Sequence, residues 1–320
     1  MNGIFDNLTN PIVLLFILGV FSTIVKSDLK IPKEVSKFLS YLLLFCIGLE
    51  GGHKLSHHTS SSEIYYVLGL AIVSSTIIPI YVFSIVKKYF KIQDACALAA
   101  TFGSVSAVTF ITAQEYLKGL GIPYDEYLIA ALALMESPAI IIGMILLKKF
   151  EGGERTSMKE AVIHSFTNGS VLMLLGCLVI GVLASDSTFE KLEPLTEDAY
   201  KGFLGFFILD MGIIAGKRMR DIQKSQIFKL IIIGVVLPLV NVIVIFFVGG
   251  WLDIKFGNFL LLLILSSSAS YIAVPATMKT AAPSANPGIY TSVALGITFP
   301  FNILIGIPLY HRLLELWTQF

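Results

Sequence analysis

Apolar runs of about twenty residues, separated by short polar breaks, recur along the whole chain, and that is the length a helix needs to cross the hydrocarbon core of a bilayer. Ten such runs are read, at roughly 10–26, 34–52, 64–87, 93–117, 125–148, 160–185, 201–217, 226–251, 256–279 and 286–313. With 55% hydrophobic and 14% charged residues and a mean hydropathy of +0.81, the 320 residues hold too little polar surface to coat a soluble globule. The expectation is an all-α integral membrane protein of ten transmembrane helices, with no soluble domain. Only Asp6, and no basic residue, precedes the first run; lacking a signal peptide's positive n-region, that run is expected to be retained.

Lys and Arg in short loops resist translocation, so their distribution predicts orientation. The connections after the odd-numbered runs hold 17 of the 23 basic residues, among them Lys26, Lys30, Lys87, Lys88, Lys148, Lys149, Lys217, Arg218 and Lys279. The opposite side keeps Lys54, Lys118, Lys191, Lys201, Lys255 and Arg312, and its sixth-to-seventh connection is acidic, with Asp186, Glu190, Glu193, Glu197 and Asp198. A multi-pass protein of the cell membrane with both termini outside is expected. Cys46, Cys96 and Cys177 fall within the runs and read as small hydrophobes rather than a disulfide or metal cluster.

One offset, 164 residues, aligns the two halves of the chain. It sets Ile47-Gly48-Leu49 and Gly52-His53-Lys54 against Met211-Gly212-Ile213 and Gly216-Lys217-Arg218, Gly103-Ser104-Val105-Ser106-Ala107 against Ser267-Ser268-Ala269-Ser270-Tyr271, and Pro123 against Pro287. Weak internal symmetry of this kind is frequent in transporters. Each half carries an odd number of runs, so the second enters the membrane from the other side. Residues 1–155 and 156–320 are read as two inverted five-helix repeats.

Small polar residues clustered in mid-run mark a helix interruption that lines a protein-enclosed cavity. The fourth run has Gly103, Ser104, Ser106 and Thr109; the ninth has Ser266, Ser267, Ser268, Ser270, Pro275 and Thr277. Broken fourth and ninth helices are therefore expected. The half-helix starting at each break offers unpaired N–H groups to an anion, while freed carbonyls and hydroxyls suit a hard cation such as Na⁺. The bland reading of the same residues is close helix packing. Glu136, beside Ser137 and Pro138, is read either as a cation or proton site or as a hydrogen-bonded structural acid. Asp210 reads as packing or a local pair, Glu50 as reaching interfacial water, and Asn241 and Asn302 as interhelical amides. His53, His57 and His58 read as solvated loop residues rather than a weak metal site. No phosphate loop, nucleotide fingerprint or zinc-protease pair occurs, so no enzyme activity, cofactor, ATP-driven pumping or nucleic-acid partner is expected. A gradient supplies the energy. A membrane-embedded sensor or enzyme would need a receptor domain or a reactive constellation, and neither is seen.

The run Pro283-Ser284-Ala285-Asn286-Pro287 with Tyr290, downstream of Ser266-Ser267-Ser268 and Pro275, resembles the sodium-dependent bicarbonate transporter family, as do Phe102-Gly103-Ser104-Val105-Ser106 with Thr109 and Met135-Glu136-Ser137-Pro138-Ala139. The resemblance covers both halves in order. It implies Na⁺-coupled import of bicarbonate by alternating access, core and gate domains each drawn from both repeats, a homotrimer, and an inside regulator resembling PII proteins. Carried over by position, it implies anion contacts from Gly103, Ser104, Val105, Ser106, Ser268, Ala269 and Ser270. For Na⁺, the coupling ion, it points to Ser106, Thr109, Glu136, Ser270, Tyr271 and Thr277. Tyr271 and Glu136 stand where the family pattern has Asp, and the family's insert between the fifth and sixth helices is reduced to Glu151-Gly152-Gly153-Glu154-Arg155. The rival reading is a transporter of the same architecture for another small anion, or one coupled to H⁺ through Glu136.

Overall fold

In the computed structural model, residues 10–57, 62–151, 163, 167, 169–221 and 226–318 are described, and their regular structure is helical throughout. Helix α1 (Pro11–Ile24) starts where Asn10 Oδ1 accepts the Ile12 N–H at 2.9 Å and Pro11 takes the first position, where no donor is needed. Helices α2 (Lys33–Ser56) and α3 (Ser62–Val86) follow. Next come two shorter helices, α4 (Ile92–Gly103) and α5 (Ala107–Gly119), on either side of non-helical residues 104–106. Then come α6 (Leu128–Glu151), α7 (Gly169–Leu183), α8 (Tyr200–Asp221) and α9 (Ile227–Gly249). Helices α10 (Phe256–Ser267) and α11 (Ala273–Ala281) flank a second non-helical stretch, 268–272, before the long α12 (Pro287–Thr318).

Seven helical segments among the described residues are long and apolar enough to cross a membrane: Lys33–Ser56, Ser62–Val86, Ile92–Gly119, Leu128–Glu151, Pro194–Arg220, Ile227–Gly249 and Pro287–Thr318. The apolar helices α1, α7 and α10 are shorter, at 14, 15 and 12 residues. At 1.5 Å per residue each falls short of a hydrocarbon core of about 30 Å. The start of the run read at 160–185 lies outside the described residues, as does most of the shortened insert.

Two pairings carry the packing of the shorter helices. Gly19 of α1 faces Gly212 of α8, so close that a Cβ added at Gly19 would sit 2.9 Å from the Gly212 Cα. A Cβ at Gly181 of α7 would sit 3.0 Å from the Gly52 Cα of α2. Only glycines permit such backbone contact, and small residues at interfaces are how helices gain van der Waals packing in lipid. Residue numbers rise together along both contacts: Gly212 meets Phe16 and Gly216 meets Thr23, while Gly48 meets Leu174 and Gly52 meets Leu178. Each pair is therefore parallel.

Helices α4 and α10 occupy the interior. Every residue of α4 from Asp94 and of α10 from Gly257 is buried, whereas α1, α7 and α9 turn Leu18, Phe21, Val179, Leu183, Phe228 and Phe247 outward. Both buried helices are twelve residues long, both follow an extended Lys (Lys91, Lys255), and they start 164 positions apart. Both carry a polar side chain at the third position that ties down another segment. Asp94 Oδ1 accepts the Asn286 N–H at 2.7 Å, and Asn258 Oδ1 accepts the Asp125 N–H at 2.7 Å. Asn286 also caps α12, accepting the Gly288 N–H at 2.9 Å ahead of Pro287. The Pro-Ser-Ala-Asn-Pro run thus serves as a helix start docked on α4.

Alanine at Gly19 or Gly181 is expected to lower stability by about 1–3 kcal/mol through overpacking. Alanine at Gly69 or Gly202, where an added Cβ meets nothing within 4 Å, should leave it unchanged or raise it by up to about 1 kcal/mol. Thermal unfolding midpoints of the four purified variants in detergent measure the contrast.

Candidate functional site

The two non-helical stretches cross. The residues that end α4 and α10, Ser104 and Ser268, are both extended, with φ −90° and ψ 179° and φ −79° and ψ 170°. The Ser106 N–H donates to Ser268 Oγ at 2.9 Å, and the Ser270 N–H donates to the Thr101 carbonyl at 2.9 Å. As one partner rises from 101 to 106 the other falls from 270 to 268, so the segments pass in opposite senses. Each restarting helix is capped from the break: Ser106 Oγ accepts the Thr109 N–H at 3.2 Å, and Ser270 Oγ accepts the Val274 N–H at 3.4 Å.

The carbonyls freed at the ends of α4 and α10 are met by two buried amides. Asn241 Nδ2 donates to the Ser266 carbonyl at 2.8 Å and to that of Phe102 at 3.5 Å, and its Oδ1 accepts from the Tyr81 hydroxyl. Asn302 Nδ2 donates to the Ser267 carbonyl at 2.9 Å, and its Oδ1 accepts from Tyr310 at 3.1 Å. Asn302 opens a widened turn of α12, Asn302–Gly306, a distortion that often accompanies functional sites.

A cavity of about 40 Å³ opens at this crossing, with Val105 and Ser106 on one side, Ser270 and Tyr271 on another, and Glu136 of α6 completing the polar wall. Leu43 of α2 and Leu174 of α7 close it from the parallel pair. The starts of α5 and α11 both face this space. Nearby hydroxyls are buried without a partner: Thr101 Oγ1, Ser104 Oγ, Thr109 Oγ1 and Tyr271 OH, with Ser137 Oγ next to Glu136. Orphaned buried polar atoms are uncommon because each costs about 1–3 kcal/mol. They cluster along 101–109 and at 271; of these residues Tyr271 lines the cavity.

The profile of the Na⁺-dependent bicarbonate transporter superfamily matches residues 11–315. The chain belongs to that superfamily. No curated protein matches it. Membership together with the apolar helices makes it a multi-pass membrane protein and a transporter, not an enzyme, of a family that handles bicarbonate and Na⁺.

Within this superfamily member, the residues singled out from the sequence fall into three groups. Val105, Ser106, Glu136, Ser270 and Tyr271 line the cavity. Ser104 and Thr109 lie at the break with unpartnered hydroxyls, and Ser268 holds the crossing while donating to the Leu265 carbonyl at 2.7 Å. The others serve packing: Gly103 lies against Pro79 and Ala139, Ala269 is buried, and Thr277 Oγ1 donates to Ala273 of its own helix at 3.1 Å. Among the other polar residues, Asp210 is buried with Oδ2 unpartnered. Glu50 is partly buried near the end of α2 and bonded at 2.5 Å to Lys54, whose side chain is 43% exposed. Cys46, Cys96 and Cys177 are free and buried.

Asp94 and Asn258 were missed as organising residues, although the 164-residue offset aligns them. Asn258 donates to Glu63 and Asp125 carboxylates, both at 2.7 Å, and Lys255 Nζ reaches Asp125 at 2.8 Å.

Ser268→Ala is expected to lower stability by about 1–3 kcal/mol, because it leaves the buried Ser106 N–H without its acceptor. Ser104→Ala and Thr109→Val remove hydroxyls that bond nothing in the protein, so they should leave stability unchanged or raise it. Chemical denaturation of the three variants separates the two behaviours.

Proposed function

We propose that this chain imports bicarbonate together with Na⁺ by alternating access, with both ions held where α4–α5 crosses α10–α11. The observation that carries the reading is the convergence of two helix starts, α5 and α11, each with an N–H bonded to a serine of the preceding break, on one small cavity that also has a carboxylate, Glu136, in its wall. A helix start presents unpaired N–H groups and roughly half a positive charge, which favours an anion. Glu136 and the unpartnered hydroxyls of Ser104, Thr109 and Tyr271 are oxygen donors of the kind Na⁺ takes. The cavity's volume of about 40 Å³ is a few water-sized spheres of roughly 10–15 Å³ each, which suits an anion of four heavy atoms better than a di- or tricarboxylate.

The membrane arrangement belongs to the same proposal. Ten crossings form two inverted five-helix repeats, 1–155 and 156–320, with the α4–α5 and α10–α11 crossings interrupted and both termini outside. Three observations support it. Helices α4 and α10 match in length and in offset. Their crossing segments run in opposite senses. The parallel contacts α1 with α8 and α2 with α7 require an even number of membrane passages from one partner to the other, as first with seventh and second with sixth give. The lateral charge split supplies the orientation.

Glu136 also favours one rival, coupling to H⁺, because a carboxylate at a buried site can carry a proton in place of binding Na⁺. Labelled bicarbonate uptake into proteoliposomes decides between them. An inward Na⁺ gradient should drive uptake, and K⁺ in its place should abolish it. Uptake indifferent to Na⁺ but driven by a pH gradient would transfer the coupling to H⁺. Ser106→Ala and Ser270→Ala should each weaken the apparent affinity for bicarbonate about tenfold, in keeping with the loss of about 1.4 kcal/mol, and Glu136→Gln should remove the cation dependence.

A further inference from the structure

At the far end of α2, away from the crossing, three metal-ligating side chains come together. His53 and His57 are four residues apart, one turn along the helix, and Asp186 begins a short helical turn, Asp186–Phe189, just after α7. His53 Nε2 lies 3.0 Å and His57 Nε2 2.9 Å from the same oxygen, Asp186 Oδ1. One ligating atom from each of the three residues lies within 4.8 Å of the others. The loop reading is corrected for His53, which lies in the last turn of α2 with its side chain 17% exposed, while His57 follows as that helix's cap and is exposed. His58 lies outside the described residues.

The arrangement is held by more than the acid. The His53 ring stacks on Phe189 with centroids 3.9 Å apart and planes 3° from parallel, which fixes its Nε2 toward Asp186. The His57 ring meets His53 edge-on at 5.0 Å. The neighbouring cation, Lys54, is bonded to Glu50 and Glu126 at 2.5 and 3.3 Å. The side chains of His57 and Asp186 are 57% and 66% exposed, so an ion can enter from water.

We propose that His53, His57 and Asp186 form a binding site for a divalent transition-metal ion, with Zn²⁺ the best fit. Two imidazole nitrogens and one carboxylate oxygen are a three-ligand set that leaves a fourth, water-filled position. Zinc bonds of about 2.0–2.2 Å at tetrahedral angles put adjacent ligand atoms roughly 3.3–3.5 Å apart, so the observed 2.9 and 3.0 Å need open by only a few tenths of an ångström. Two imidazoles among three ligands disfavour Mg²⁺ and Ca²⁺, which take oxygen. The ion would join the end of α2 to the segment leaving α7, fastening the parallel pair that closes one side of the transport cavity. This site does not depend on the transport reading, since it uses none of the residues at the crossing.

Tag-free purified protein, stripped with a chelator, is titrated with Zn²⁺ by calorimetry and its thermal midpoint followed. One saturable site per chain and a raised midpoint are expected, with no response to Mg²⁺. Co²⁺ should give the intense visible bands of a tetrahedral site. His57→Gln and Asp186→Asn, both at exposed positions that leave the Phe189 stack in place, should each weaken Zn²⁺ binding at least tenfold, whereas His58→Ala and His311→Ala should not. Absence of saturable binding, or binding unchanged in both His57→Gln and Asp186→Asn, overturns the proposal. A folded His57→Gln variant that keeps its own thermal midpoint but loses the zinc-induced rise supports it.

Discussion

A peptide that leaves the helix inside an apolar protein strands its N–H and its carbonyl, and in a membrane protein water is not at hand to take them. Two such stretches, 104–106 and 268–272, meet this cost by serving each other: Ser106 donates to Ser268, and Ser270 donates to Thr101. Neither could sit against lipid, and neither would be satisfied alone. They must lie side by side in the interior, and every other helix is placed by that need. Helices α4 and α10 are enclosed almost completely, Asn241 and Asn302 are drawn to the carbonyls left at their ends, and the outward faces of α1 and α7 present apolar side chains such as Leu18, Phe21, Val179 and Leu183.

The starts of the two buried helices are secured by the same logic at opposite edges of the fold. Asp94 takes the Asn286 N–H and Asn258 takes the Asp125 N–H, so each helix is tied to a segment distant in sequence. An amide at 258 can both accept from the backbone and donate to the Glu63 carboxylate, and a carboxylate at 94 can only accept. That chemical difference explains why the counterpart of Asp94 binds two further acids. Each buried helix is thus tied near its start by a side chain and at its end by the bonds of the crossing.

Much of this was legible in one sequence because it is written in composition and spacing. Apolar runs announce helices, mid-run serines announce interruptions, and a constant offset aligns the two. Position along the chain, however, does not say which atoms meet. Ser104 and Ser106 look equivalent in sequence, yet Ser106 caps α5 and lines the cavity while Ser104 keeps an orphan hydroxyl. Asn241 and Asn302 read as generic interhelical amides, and their specific task, receiving freed carbonyls, depends on partners far away in the chain. The tie of His53 and His57 to Asp186 is hidden for the same reason. Nothing local to the Ser-rich segment betrays Asp186, 129 residues beyond His57.

The charges at the crossing bear on why two ions should travel together. Four half-helix ends meet at the crossing, the starts of α5 and α11 with roughly half a positive charge each and the ends of α4 and α10 with roughly half a negative charge each, so they nearly cancel and Glu136, when ionised, leaves the cavity wall with about one negative charge. An anion entering alone would add a second negative charge to a space lined by Leu43 and Leu174, where isolated charge is costly. In the proposed symport Na⁺ offsets the charge of Glu136 and leaves the helix starts to the anion. Coupling then needs no signal passed between separate sites, because each ion lowers the electrostatic cost of the other. Tyr271 fits that balance: it offers an oxygen at the cavity without adding the second negative charge an Asp would bring.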